Sequence, residues 1–437
     1  MRPVCFTLPL ALAAAAFAQP TPARPDLQPP ADPAAVRDAK LGAGTIATGP
    51  SSLDKETREK GERLAAKAIE YLRKQQDEKS GGWGVAPTVE GKPTPPVFPA
   101  FSGLIVNGML MQPGIDTKDP AVAKAIAFML KWQQPDGAIY DRMLPVYNTS
   151  ITLSAIATVD TDEARAAIRK GQDFLRRSQW GVSAPAESPD KPTSAVGPEH
   201  PFYGGWGYGR NSRPDISNLN FVLEALHDTG VSPDDPAIQR ALVFLQRVQM
   251  MEKGADGKVI NDQPYAKGSR QGGFIYATAS DGKTAGQGQS QAGMIDETLS
   301  TGETRSMLRA YGSVSYAGFK SYLYAGLKKN DPRVQAVLDF CRHNYTVAEN
   351  PRAGTDGQYY YYVAFARALR AAQIDTIDAV GADGKSVPHN WRADLINQLA
   401  TMQNADGSFK SVDERWMEDN TVLITAYALL AAQNALR

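Results

Sequence analysis

Two patterns of apolar positions alternate along residues 55–437. In the first, apolar residues fall every three or four positions within an otherwise polar segment. Leu64, Ala68 and Leu72 are the opening example, and this spacing predicts an amphipathic helix. In the second, nearly every position is apolar or small, as in 101–110, 149–156, 216–226, 316–327, 359–369 and 421–430. Such stretches predict helices buried on all sides. Glycine follows each amphipathic helix and stops it. Asp119-Pro120, Ser232-Pro233-Asp234-Asp235-Pro236 and Asp331-Pro332 cap the helices that come after.

The amphipathic helices are copies of one motif: basic residue, small residue, aromatic, aliphatic, Gln, then Gly and an aromatic. The first copy is Lys67-Ala68, Tyr71-Leu72, Gln76 and Gly81-Gly82-Trp83. The second is Lys124-Ala125, Phe128-Met129, Gln133, Gly137 and Ile139, and the third Lys170-Gly171, Phe174-Leu175, Gln179 and Gly205-Trp206. Arg240-Ala241, Phe244-Leu245, Gln249 and Gly272-Gly273-Phe274 form the fourth. The fifth is degenerate, with Ala336, Phe340-Cys341, Tyr345 in place of Gln, and Gly357; the sixth keeps Leu399, Gln403, Gly407 and Phe409. The Gln amide is suited to orphan backbone groups at its helix end, with the aromatic covering the turn. One helix pair cannot bury its own apolar faces, so neighbours stack, and six pairs can close into a ring of two layers.

These copies resemble the QW motif of squalene-hopene and other triterpene cyclases, and the related repeats of protein prenyltransferase β-subunits. The resemblance runs over about 55–437 and implies an all-α fold, a single (α/α)6 toroid of six helix-pair repeats. The catalytic motifs of those relatives do not carry over. The proton donor of triterpene cyclases is the middle Asp of Asp-x-Asp-Asp. The near match, Asp160-Thr161-Asp162-Glu163, sits where a helix cap and first-turn acids belong. The positions resembling the prenyltransferase zinc ligands are Ser313, Ser315 and Val363, which do not bind zinc. Complement-type toroids carry a thioester Cys-Gly-Glu-Gln, whereas Cys341 precedes Arg342-His343 and reads as a buried helical residue. His200, His227, His343 and His389 have no ligand partner at helical spacing, so neither metal nor cofactor is expected.

Composition adds the setting. Met1-Arg2, the apolar run from Val4 to Ala16 and Ala16-Phe17-Ala18 have the pattern of a cleaved export signal, 1–18. Residues 19–53, punctuated by Pro20, Pro22, Pro25, Pro29, Pro30, Pro33 and Pro50, read as a tether. The toroid then occupies 54–437, in a periplasmic or secreted protein with no later stretch fit to span a membrane. Basic and acidic residues balance at 47 each, which excludes recruitment by nucleic acid. The 38 glycines and 30 prolines belong to long loops, chiefly 180–213 and 250–311.

In a toroid, ligands are expected where the inner helices begin. Tyr147, Asn148, Trp206, Tyr208, Asn218, Tyr316, Tyr361 and Trp416 are the binding candidates there, and Asp215 and Asp419 the weak catalytic ones. Four consecutive tyrosines, 359–362, cannot all face one side of a helix, so at least one points to the ring axis or to solvent. The resemblance implies an apolar isoprenoid ligand, bound or transformed in a central cavity. The missing motifs favour the alternative, a non-enzymatic scaffold whose crown loops hold an extracytoplasmic protein or glycan. A glycan-cleaving barrel with Asp215, Glu224 or Asp419 as acid and base is a third reading.

Overall fold

The computed structural model describes residues 53–85, 95–181, 195–209, 212–279, 286–299 and 301–437. The export signal and, apart from Leu53, the tether lie outside them. Among the described residues, twelve α-helices alternate between two layers. The outer layer comprises α1 (Lys55–Lys74), α3 (Pro120–Lys131), α5 (Asp162–Arg177), α7 (Pro236–Val248), α9 (Pro332–His343) and α11 (Trp391–Met402). The inner layer comprises α2 (Pro99–Leu110), α4 (Pro145–Ile156), α6 (Ile216–Asp228), α8 (Gly312–Tyr324), α10 (Gln358–Ala371) and α12 (Thr421–Leu436). Each inner helix packs on the next, and α12 returns to α2, so the ring closes into an α/α toroid.

The two layers follow from the two patterns. Outer helices bury one stripe, such as Ala164, Ala167, Ile168, Gly171, Phe174 and Leu175 of α5, and leave charges outside. Inner helices are enclosed on nearly every side, and α12 is buried without a break from Leu423 to Leu436. Several inner helices start earlier than their apolar stretch: α4 begins at Pro145, whose fixed φ suits the first helical position.

The motif Gln joins one repeat to the next. The sequence points to its own helix end as the amide's partner; the structure gives it two others. Gln76 Nε2 donates to Gly81 O at 2.7 Å and to Ala121 O of α3 at 2.9 Å. Gln179 reaches Gly204 O and Ala237 O of α7, and Gln249 reaches Gly272 O and Arg333 O of α9. Gln403 closes the circle, bonding Gly407 O and Leu64 O of α1. In the degenerate fifth copy Tyr345 does the same work, its hydroxyl donating to Asp394 of α11 at 2.7 Å. Helix ends are capped by the aromatics instead: the indoles of Trp83 and Trp206 donate to Leu72 O and Leu175 O, both at 2.7 Å. The turn glycine is fixed by space as well as by φ. A Cβ on Gly204 (φ +82°) would lie 1.9 Å from Arg240 O.

Two hairpins sit outside the ring. Strands β1 (Met294–Thr298) and β2 (Thr304–Leu308) pair antiparallel between α7 and α8. Strands β3 (Ile377–Val380) and β4 (Ser386–His389) pair between α10 and α11, with β3 against α9. No helix among the described residues is long and apolar enough to cross a membrane.

Candidate functional site: the tyrosine well

Five of the six inner helices start in a bond to the next inner helix or to the segment that enters it. Ala100 N donates to Asn148 Oδ1, Val146 N to Tyr208 O, Ile216 N to Tyr276 O and Gly312 N to Pro351 O. Tyr359 N and Tyr360 N both donate to the carboxylate of Glu418, at 3.1 and 2.9 Å. The N-termini of these helices therefore gather on one face, an environment that favours acids.

At that face the ring is plugged by aromatic side chains. Tyr147 of α4 meets Phe221 of α6 edge-on with centroids 5.5 Å apart. Phe221 meets Tyr360 of α10 at 6.0 Å, and Tyr360 meets Tyr427 of α12 at 6.4 Å. The hydroxyls of Tyr427 and Tyr147 then lie 3.5 Å apart. Helices α6 and α10 are separated by α8, and α12 and α4 by α2, so these four rings meet over the ring axis. Tyr208 and Tyr276 rise above them from the two long loops, with the Tyr147 and Tyr208 rings 6.2 Å apart. Tyr147 and Tyr360 are half-buried and Tyr208 is 37% exposed, yet desolvation raises all three phenols. These partly exposed rings above the closed plug make up the candidate site, the tyrosine well.

Asp215 stands in its wall. It caps α6, accepting from Asn218 N at 2.9 Å and Asn218 Nδ2 at 2.8 Å, and is 1% exposed. Burial pushes its carboxyl up to about 6, against the opposing pull of those bonds and of Arg213. Desolvation first, and the charge of Asp215 behind it, raise the phenols of Tyr208, Tyr276, Tyr311 and Tyr360, and Ile216 N next to Asp215 donates to Tyr276 O at 3.0 Å. Glu418, also buried, is pushed up to about 7 by desolvation despite its two backbone donors.

Below the plug the interior is ionic. Glu224 of α6 receives Lys320 Nζ of α8 at 2.6 Å and Arg367 Nη1 of α10 at 2.7 Å, with Lys320 1% exposed. Burial opposes the carboxylate, but Arg367 and then Lys320 hold its pKa below the usual range, while desolvation holds the Lys320 ammonium down.

The binding candidates divide. Tyr147 and Tyr208 line the well, and Asn218 orients Asp215. Trp416 lies at the rim, 40% exposed, with the Arg415 guanidinium 4.5 Å over its ring. Asn148, Trp206, Tyr316 and Tyr361 are buried in the frame. Asn148 Nδ2 also bonds Met143 O and Leu144 O, Tyr316 packs on Phe365 at 5.0 Å, and Tyr361 donates to Thr346 O at 2.5 Å. Of the four consecutive tyrosines, Tyr360 is the one that points to the axis. Asp419 is exposed, and the buried acid of its segment is Glu418. Phe221, Tyr276, Tyr311 and Tyr427 belong to this site beyond the sequence reading, which has the tyrosine run without singling out Tyr360 and has Asp419 rather than Glu418 as the candidate acid. The spacing of Ser217, Phe221 and Glu224 along one face of α6, and of Tyr360 and Arg367 on α10, is the signal that marks the axis-facing side. No cluster of three metal-ligating side chains occurs among the described residues.

Residues 99–191 match the model of the squalene-hopene cyclase C-terminal domain family. Solved structures similar to this chain include the type II terpene cyclase MstE from Scytonema, 14% identical with a TM-score of 0.46 over 87% of this chain and 98% of that one. A glycosidase is 11% identical with a TM-score of 0.45, over 88% and 99%. A protein from Actinoplanes is 16% identical with a TM-score of 0.43, over 86% and 100%. No curated protein matches the chain.

Proposed function

We propose that this protein is an exported binding toroid that holds a compact small molecule in the tyrosine well. The observation that carries the reading is the plug of Tyr147, Phe221, Tyr360 and Tyr427. It limits a ligand to the well above it, where ring faces supply apolar contact and phenols and Asp215 supply polar edges, the usual make-up of a small-molecule site. The Glu224–Lys320–Arg367 cluster beneath argues against a long isoprenoid chain threading the ring, since buried charges there favour no apolar tail. An isoprenoid remains the second reading on the strength of the repeats, with only one end of it in the well. Export rests on the signal pattern of residues 1–18, and the tether of 19–53 would set the toroid away from its point of attachment or release.

The test is a panel of neutral, cationic and anionic fragments followed by ligand-observed NMR. Ser217 is half-buried on the first turn of α6, two residues from Asp215 and one turn before Phe221, so Ser217→Trp places an indole over the plug. At least one fragment class binds the wild type and is lost in Ser217→Trp. If no fragment signal depends on that substitution, the well is not a binding site.

A further inference from the structure

The well unites two features that point to one ligand chemistry. The first is its walls. Tyr147, Tyr208 and Tyr360 keep accessible surface, whereas Tyr276 already carries the Arg213 guanidinium 5.4 Å from its centroid. Aromatic faces are the negative side of the ring quadrupole, and a protein cation already uses one of them here.

The second is Asp215. It makes no ion pair among the described residues; its bonds come from Asn218 N and Nδ2. The nearby Arg213 guanidinium is engaged with Ala279 O and Gln289 Oε1 and acts on Asp215 at longer range. Beside the carboxylate, Asn218 Oδ1 is buried with no donor, so the acceptors here outnumber the donors. The second buried acid of this face, Glu418, is likewise without an ion pair and has Asp413 nearby.

These facts rank the three ligand classes. A neutral apolar ligand would bring no compensation to the buried Asp215 charge. An anion would face Asp215 and Glu418 together. A cation with an alkyl surface gains from both features, because the buried carboxylate attracts its charge through the low-dielectric wall and its methyl or methylene groups meet the rings. We propose that the well takes an organic ammonium cation, its alkyl groups against the faces of Tyr147, Tyr208 and Tyr360 and its charge opposite Asp215. The proposal rests on the reading of the well as a binding site.

Choline and its uncharged isostere 3,3-dimethyl-1-butanol have nearly the same shape and differ in charge. Titration calorimetry at about pH 7.5, where Asp215 is ionised, should show choline binding about tenfold more tightly or better. Asp215→Asn keeps a competent helix cap and removes most of that preference. Tyr208→Leu weakens choline several-fold, and Tyr208→Phe, which retains the ring, weakens it less. Equal or tighter binding of the isostere overturns the assignment, as does a choline affinity indifferent to Asp215→Asn. If neutral fragments depend on Ser217→Trp while choline does not bind, the cation assignment falls and the binding well stands. If neither binds, both fall.

Discussion

Asp215 shows how one residue serves structure and site together. As the α6 cap it is a structural residue, and its bonds to Asn218 would by themselves keep it ionised. Burial outweighs them, and the carboxyl is raised to about 6. The folded state therefore holds this proton over a range where the unfolded chain has released it, so stability falls as pH rises from about 4 to about 6. A shift of roughly two units corresponds to about 3 kcal/mol. Of the groups that act on Asp215, the phenols of Tyr208, Tyr276, Tyr311 and Tyr360 are raised by desolvation, away from that window. Asp119 and Asp331, whose pKa values their arginine partners lower, act in the opposite sense below the usual carboxylate range. Urea unfolding of wild type and Asp215→Asn across pH 4 to 7.5 should give curves that diverge through that window. Parallel curves would mean that Asp215 is not desolvated. Residue chemistry of this kind is hidden in sequence: Asp215 and Asp419 look alike there, and only folding buries the one and exposes the other.

At the scale of elements, the repeat motif is a joint between neighbours rather than a description of one helix. Gln179 illustrates it: Nε2 joins Gly204 O to Ala237 O, while Oε1 accepts from Arg240 Nε at 2.9 Å. Gln179→Leu keeps the bulk but strands these buried groups, and should cost about 2–4 kcal/mol. Equilibrium urea denaturation measures it, and a loss below about 1 kcal/mol would show that water replaces the amide. The motif residues are legible in sequence because a local turn, its glycine and the helix before it recur at fixed spacing. Their partners are not, because Ala237 lies 58 residues away from Gln179 and its place is set by stacking. The substitution of Tyr345 for Gln looks like decay in sequence, yet its hydroxyl preserves the joint through Asp394.

For the whole molecule, closure is the decisive event. Six inner helices meet around an axis, and the plug and ion cluster exist only once they do. Glu224, Lys320 and Arg367 lie on three successive inner helices, so each is unpaired until α6, α8 and α10 are in place. Glu224→Gln should destabilise the toroid by about 3–5 kcal/mol, because Lys320 is left buried without its counter-charge. Lys320→Met should cost less, since the Arg367–Glu224 pair survives. Thermal and urea unfolding of the two variants compare them directly; a milder Glu224→Gln would contradict the buried-pair account. By itself the sequence determines the two helix classes, their order, the six-fold repeat and the turns, because hydrophobic periodicity and glycine act over a few residues. Tertiary structure alone decides which tyrosine of 359–362 meets the axis, which loops supply Tyr208 and Tyr276, and that Glu418 rather than Asp419 is buried. Those outcomes depend on the rotation of each helix within a closed ring, which is set by packing between residues far apart in the chain.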